Sequence, residues 1–320
     1  MLPTLSPPRP CLEGYVRLAR FDHWVKILFV LPGIVVALSV DPAQLESLRW
    51  WRVLVGLAAV GLMASSNYVL NELLDAPFDR LHPLKKHRPV AAGLVSRPLA
   101  WIECLLLGLA SAALGAVVSA EFLACLALLW AAGLLYNVPP LRAKDYPVID
   151  VLVEAVNNPL RFAAGWYLTG TQALPITSLL VSLWMGGCYL MALKRYAELR
   201  DHRSSLCLSS YRPCFRRYTE ANLLVSITFY AALAMLSFGA FMGRYRLELV
   251  LAFPLIALCM AAYFALVFKP DSAAQHPEGL LREPVLMLAT VVCALTMLAL
   301  LFVDLPWLHQ AFHPTIPRRH

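Results

Sequence analysis

The sequence predicts an all-α integral membrane protein, with about nine transmembrane helices in one bundle and its polar loops gathered on the cytoplasmic face. Three observations carry that expectation. The 320-residue chain is 60% hydrophobic with a mean hydropathy of +0.65, a composition that soluble domains do not reach. Apolar runs of roughly 20 residues recur, each long enough to cross a bilayer as a helix. The bases are shared unevenly between alternate loops, the asymmetry that orients membrane proteins.

Residues 1–14 are Pro-rich and read as a mobile N-terminal segment, 15–305 as a single transmembrane domain and 306–320 as a C-terminal tail. No basic start followed by an apolar core is present, so no signal peptide is expected. The first helix spans about 15–40 and carries Arg17, Arg20, Asp22, His23 and Lys26 in its opening turns. The second runs from about 50 to 75, where Pro77 bends or ends it. Ser96-Arg97-Pro98 opens the third, with serine placed as an N-cap. The third and fourth cover about 99–119 and 121–136, and the loop after them, NVPPLRAKDYP, carries Arg142, Lys144 and Asp145. The fifth, about 148–169, places Asp150, Glu154, Asn157, Asn158 and Arg161 along one face. Ionisable groups in a membrane helix are costly and face a cavity or the bundle interior. They read as the wall of a site or as a polar network tying helices together. The sixth, about 175–198, ends in LKRYAELRDHR, and a second polar loop, about 201–218, holds Arg203, Arg212, Arg216 and Arg217. The seventh (about 219–242), eighth (about 248–268) and ninth (about 284–303) carry no charge in their middles.

Alternating sides places the loops after helices two, four, six and eight with the N-terminus. They hold Lys85, Lys86, Arg88, Arg97, Arg142, Lys144, Arg200, Arg203, Arg212, Arg216, Arg217, Lys269 and Arg282; the opposite loops hold mainly Arg49, Arg52, Arg244 and Arg246. The bias puts the even loops in the cytoplasm, and a bacterial inner or plasma membrane is the expected location. The net charge of +7 suits an anionic substrate or leaflet, although inside-positive loops alone account for much of it. The expected partners are the bilayer and a lipid substrate, with no nucleic acid; whether the chain forms a homo-oligomer stays open. The eight cysteines lack CxxC pairing and read as small buried hydrophobes.

One stretch, NELLDAPFDRLHPLKKHRPV from Asn71 to Val90, concentrates the polar groups. Glu72, Asp75 and Asp79 follow at i, i+3 and i+7, one stripe of a helix. Three acids that repel one another call for a divalent cation, and carboxylates with water and phosphate are a usual Mg²⁺ shell. Lys85, Lys86 and Arg88 follow and can hold the phosphate. The plain alternative, a solvated basic loop, does not explain an ordered acid stripe ahead of the bases. Lys194, Arg195 and Glu198 form a second cluster, readable as a second half of the site or as an i,i+4 ion pair at a helix end.

NELLDAPFD resembles the first acidic motif of the UbiA superfamily of membrane prenyltransferases, usually NDxxDxxxD, with Glu72 in place of the first aspartate. RFDHWVK is similar to the family's R-P-x-x-W-x-K start, and the resemblance covers nearly the whole chain. Typical members carry a second DxxxD at the end of the sixth helix, where this chain reads Lys194 to Glu198. HPLKKHRP together with KRYAE resembles the decaprenyl-phosphate phosphoribosyltransferase-like branch. The resemblance implies an Mg²⁺-dependent transferase acting on a donor that loses diphosphate. It implies 5-phosphoribose transfer from phosphoribosyl diphosphate to a polyprenyl phosphate, or prenyl transfer to an aromatic or other small acceptor. A non-enzymatic transporter is the third reading, disfavoured because no internal repeat is visible. In the first reading Glu72, Asp75 and Asp79 hold the metal, with Asn71 beside them on the donor. Lys85 and Arg88 clamp its diphosphate, and Lys194 and Arg195 hold a further phosphate, the ribose 5-phosphate or that of the acceptor, with Glu198 orienting the two bases or completing a metal shell. Lys26 and Arg161 serve the lipid phosphate, and Tyr136 and Asp150 line the sugar or acceptor pocket. Asp75, Asp79 and Lys194 are the residues expected to be catalytic.

Overall fold

The structure, a computed structural model, describes residues 10–81, 85–201, 213–269, 272–275, 280 and 283–312, with backbone alone at Lys26 and Gln275. The expectations for residues 1–9, the Lys26 side chain, Arg203, Cys207, Arg212 and Arg282 therefore lie outside the described residues. The described elements are helical throughout and fall into two compact units, Met1–Pro175 with Ser205–Thr219, and Ile176–Ser204 with Glu220–His320.

The first unit opens with α1 (Leu12–Leu18), a 3-10 segment (Phe21–Val30), α2 (Leu31–Val40) and the single turn α3 (Gln44–Ser47). The sequence predicts one helix here, and the chain breaks it. Arg20 takes a left-handed conformation, φ 52° and ψ 50°, which ends α1. Pro32 then has no N–H to give the carbonyl one turn back, and Leu31 N–H turns to the Leu28 carbonyl, one residue tighter than α-helical spacing.

α4 (Trp50–Asp79) is the axis of the unit, 30 residues long. It does not end at Pro77 but continues to Asp79. The missing Pro77 N–H leaves the Leu73 carbonyl without its helical donor. Arg97 supplies one, its guanidinium lying 3.3 Å from that oxygen. α5 (Arg97–Val118) packs along α4, bolted by Ser66 Oγ on the Cys104 carbonyl at 2.8 Å and Ser111 Oγ on the Ala59 carbonyl at 2.7 Å. Its outer face exposes Leu99, Ile102, Leu105, Leu106 and Leu109, as a lipid-facing helix does. Ser96 stands at the N-cap position as expected. Its side chain is engaged differently: the Tyr15 hydroxyl donates to Ser96 Oγ at 3.2 Å and accepts from Ser96 N–H at 3.0 Å. α6 (Ala120–Asn137) is capped by Ser119 Oγ accepting from Phe122 N–H at 3.1 Å.

The expected fifth helix is two, α7 (Ile149–Ala155) and α8 (Asn157–Leu168), joined at Val156. Pro159 cannot donate to the Ala155 carbonyl, so the ladder lapses there. One residue earlier, Asn157 Nδ2 donates to the Glu154 carbonyl at 2.9 Å. The single polar face expected from Asp150 to Arg161 is therefore split between two helices. α2 crosses α8 with backbones touching: a Cβ on Gly33 would strike the Phe162 carbonyl, and one on Gly165 the Val30 carbonyl. Small residues at such crossings are how membrane helices approach closely.

The second unit holds α9 (Thr177–Asp201), α10 (Glu220–Tyr245), a 3-10 segment (Leu247–Ala252), α11 (Phe253–Leu266), α12 (Pro284–Leu300) and α13 (Pro306–Ala311). α9 packs along α10, and Tyr189 Oη reaches the Met260 carbonyl at 2.7 Å. Buried Glu248 accepts from Leu305 N–H at 3.3 Å and sits 2.8 Å from His309 Nε2, which fastens α13 to the 3-10 segment.

Among the described residues, six helices are long and apolar enough to cross a membrane, or seven if the opening pair, bent by 46°, counts as one span. The multi-pass membrane architecture holds, and the expected count of nine is not reached by this criterion. α8 stops at 12 residues and α12 at 17, short of the roughly 20 that hydrocarbon thickness asks for.

Candidate functional site

The last turns of α4 present Asn71, Glu72, Asp75 and Asp79 inside a wedge of about 100° at 3.6 residues per turn. The structure brings a different partner to each acid. Glu72 is buried and accepts the Val90 N–H at 2.9 Å, with the charges of Arg88 and Arg20 acting on it. Asp75 takes Lys144 Nζ at 2.5 Å and Arg142 at 3.0 Å on Oδ1, and Asn71 Nδ2 at 3.2 Å on Oδ2. Asp79 is 0% exposed and takes Arg88 at 2.7 Å on Oδ2, with Lys85 near enough to act on its charge. Its other oxygen, Oδ1, has no hydrogen-bond partner among the described residues.

Around Asp75 the network closes on itself. Asn137 Oδ1, at the end of α6, accepts from Asn71 Nδ2 at 2.6 Å and from Lys144 Nζ at 2.8 Å. Lys144 is only 4% exposed. A buried ammonium is stable only with such partners, and the nitrogen also lies over the Tyr136 ring, 5.9 Å from the centroid. Arg142 is shared, lying 3.1 Å from Asp145 and 4.8 Å from the Phe78 ring centroid. Lys144 comes from the short 3-10 turn Ala143–Asp145 and Arg142 from the residue that precedes it, at φ +24°.

On the Glu72 side lies a cavity of about 530 Å³ lined by Arg17, Arg20, Asp22, Glu72, His87 and Arg88, among others. Arginines around an opening of this size make a site for anions, phosphate above all. Tyr68, one turn before Asn71, carries the Arg20 guanidinium 5.4 Å over its ring and the His23 ring at 5.3 Å. An apolar groove of about 340 Å³ follows along the same 3-10 segment, lined by Trp24, Val25, Ile27, Leu28, Leu31 and Leu57.

Among the described residues no three His, Cys, Asp or Glu side chains converge as a ready metal cage. The donor set is nevertheless all oxygen, and Asp79 Oδ1 is buried with no hydrogen bond among the described residues. That fits Mg²⁺, which takes one or two carboxylates and completes its shell with water and substrate phosphate.

Residues 28–278 match the UbiA prenyltransferase family. The chain belongs to that family. It is a membrane transferase of the UbiA type. The decaprenyl-phosphate phosphoribosyltransferase of Mycolicibacterium smegmatis is 29% identical over 244 residues, 74% of this chain and 72% of that protein. The protein of the same name from Mycobacterium tuberculosis is 30% identical over 237 residues, 73% of this chain and 75% of its own length. Among solved structures, a UbiA homologue from Archaeoglobus fulgidus bound to GPP and Mg²⁺ superposes with a TM-score of 0.68 at 21% identity. That superposition covers 90% of this chain and 98% of the other, so the UbiA fold is shared.

The residues expected from the sequence divide between several places. Asn71, Glu72, Asp75, Asp79, Lys85, Arg88 and Tyr136 cluster at the end of α4. Arg161 sits on α8 with Tyr68 and Glu154 as electrostatic neighbours. Asp150 is 0% exposed and takes the Tyr218 hydroxyl at 2.5 Å, a contact inside the protein where the sequence suggested a pocket wall. Lys194, Arg195 and Glu198 belong to the second unit. There Arg195, buried, pairs with Glu198 at 3.0 Å, an i,i+3 bridge beside the i,i+4 spacing of Lys194. The sequence reading passed over Arg142, Lys144, Asn137, Arg20 and Tyr68 as site residues. The first two were visible as bases in a Pro-rich loop, but nothing local tied them to Asp75.

Proposed function

We propose that this UbiA-type transferase moves 5-phosphoribose from phosphoribosyl diphosphate to a polyprenyl phosphate. The observation that carries the reading is the surplus of bases over acids at the end of α4. Asp22, Glu72, Asp75, Asp79 and Asp145 stand against Arg17, Arg20, Lys85, Arg88, Arg142 and Lys144, with His87 lining the same cavity as Arg17, Arg20 and Arg88. Bases that still outnumber the carboxylates around them suit substrates bearing several phosphate groups. The names of the mycobacterial relatives support the same transferred group and a polyprenyl-phosphate acceptor.

In this reading Arg142 and Lys144 leave Asp75 to hold oxygens of the donor diphosphate, and Arg88 and Lys85 hold the rest. Asp75, Asp79 and Glu72 are the carboxylates assigned to Mg²⁺. When bound, that ion offsets charge developing on the leaving diphosphate. The acceptor phosphate is already an anion. Its oxygen bonds to the anomeric carbon as the bond from that carbon to the diphosphate oxygen breaks, and no general base is required. A site whose acids are all engaged with bases or backbone suits a step that removes no proton. Arg17 and Arg20 are assigned to the acceptor phosphate, and the apolar groove from Trp24 to Leu57 to the start of its hydrocarbon chain. Lys26 and Arg161 stay assigned to the lipid phosphate, and Lys194, Arg195 and Glu198 to a further phosphate, on the motif resemblance alone. The loops carrying these bases are assigned to the cytoplasmic side of a bacterial plasma membrane by their charge.

The test is a donor screen on the purified chain in detergent with Mg²⁺. Labelled phosphoribosyl diphosphate with a polyprenyl phosphate yields a phosphoribosylated lipid if the reading is right. Product only from a labelled prenyl diphosphate and an aromatic acceptor would overturn it.

A further inference from the structure

We propose that Tyr218 is a positioning residue for the transferase, its hydroxyl holding the strained turn at Val148 and thereby setting Arg142 and Lys144 on Asp75. The inference rests on the reading that those two bases serve the donor diphosphate.

Val148 adopts φ +71° and ψ −48°. A β-branched side chain avoids that region, so the turn persists only if its surroundings impose it. The surroundings are specific. The Val148 N–H donates to the Tyr218 hydroxyl at 2.7 Å, and the same hydroxyl donates to Asp150 Oδ1 at 2.5 Å. Asp150 and Cys214 are fully buried, and the Cys214 thiol lies 3.9 Å from the other carboxylate oxygen. Burial first, and then the charge of Asp150, hold the Tyr218 phenol well above its ordinary range. The hydroxyl keeps its proton and can donate to the carboxylate while accepting from Val148.

The link from this latch to the bases is short and stiff. Lys144 and Val148 are four residues apart. Asp145 closes the 3-10 turn, Tyr146 is extended at φ −107° and ψ 125°, as a residue before proline prefers, and Pro147 has its φ locked by its ring. Beyond Val148, its carbonyl accepts Leu152 N–H at 3.0 Å and begins α7. A change at Val148 therefore has little slack in which to dissipate before it reaches Lys144 and Arg142. Tyr218 closes the second polar loop, so the arrangement couples the end of that loop to the bases on the first acidic motif.

The experiment uses the full chain in detergent as wild type, Tyr218→Phe, Val148→Gly and the double variant. Glycine takes a positive φ without strain, so Val148→Gly removes the strain that the hydroxyl offsets at the turn, while Asp150 loses that donor in both variants that carry Tyr218→Phe. The probe is inorganic diphosphate with Mg²⁺, its affinity read by calorimetry, with hydrogen exchange of the amides in 142–148 alongside. Tyr218→Phe is expected to weaken binding about tenfold and speed that exchange. The double variant should return to within about threefold of wild type, and Val148→Gly alone should match it. A merely structural tyrosine would not be rescued by a glycine on another element. Wild-type affinity in Tyr218→Phe, or no recovery in the double variant, overturns the proposal. If Tyr218→Phe does not fold, the double variant decides: it must fold and bind. Should the wild type not bind diphosphate, the assignment of Arg142 and Lys144 fails separately. The exchange rates then still show whether Tyr218 holds the turn.

Discussion

Replacing Lys144 by methionine keeps the length and apolar stem of the side chain and removes only its ammonium. The structure sets the cost. Lys144 Nζ makes a charged hydrogen bond to Asp75 at 2.5 Å and a second bond to Asn137 Oδ1 at 2.8 Å. Stripping one partner from a buried pair costs about 3–5 kcal/mol when the other charge is stranded. Here it is not stranded, because Asp75 keeps Arg142 and Asn71, and Asn137 Oδ1 keeps Asn71. The expected loss is therefore nearer that of one charged hydrogen bond, about 2 kcal/mol. A double-mutant cycle with Asp75→Asn, read from denaturant unfolding in mixed micelles, should return a coupling of about 1.5–3 kcal/mol. Turnover should fall much further. A cation contributing to charge stabilisation on the leaving diphosphate is worth about 10²–10³ in kcat. The disproportion separates a substrate ligand from a structural ion pair. A coupling under about 0.5 kcal/mol, or kcat/KM within a few-fold of wild type, would refute the placement of Lys144 on Asp75 and its role.

Three further outcomes follow from the same geometry. Asp79→Asn should raise the Mg²⁺ concentration for half-maximal activity by about tenfold or more, since it removes the carboxylate at the end of α4 whose buried Oδ1 has no hydrogen bond among the described residues; an unchanged Mg²⁺ titration counts against the metal role. Lys194→Ala should abolish turnover while the melting curve stays put, and wild-type rates in that variant would sink its assignment to a phosphate. Gly165→Ala should destabilise by about 1–3 kcal/mol, because the methyl meets the Val30 carbonyl where α2 crosses α8; the check is the unfolding midpoint in detergent, and no shift would mean the crossing can open.

Hydrophobic run length determined, from the sequence alone, that the protein is helical and crosses a membrane. Helical spacing puts Glu72, Asp75 and Asp79 on one stripe of one helix, and all three do lie at the end of α4. Both inferences rest on local periodicity, which a sequence displays directly. The partners of those acids are not local. Arg142 and Lys144 lie 67 and 69 residues from Asp75. They arrive through a turn with positive φ at Arg142 and Val148, conformations that nothing about arginine or valine announces. The same holds for Asp150: the i, i+4 pattern gave it a face shared with Glu154, and the structure gave it Tyr218, 68 residues on. Helix breaks divide likewise. Prolines were legible in the chain, but whether one ends a helix depends on who rescues the freed carbonyl. Arg97 does so for Leu73 and α4 continues, while α7 and α8 part at Val156, ahead of Pro159. Spacing along one helix is written in the sequence; which distant group meets an unsatisfied charge or carbonyl is decided only when the chain has packed.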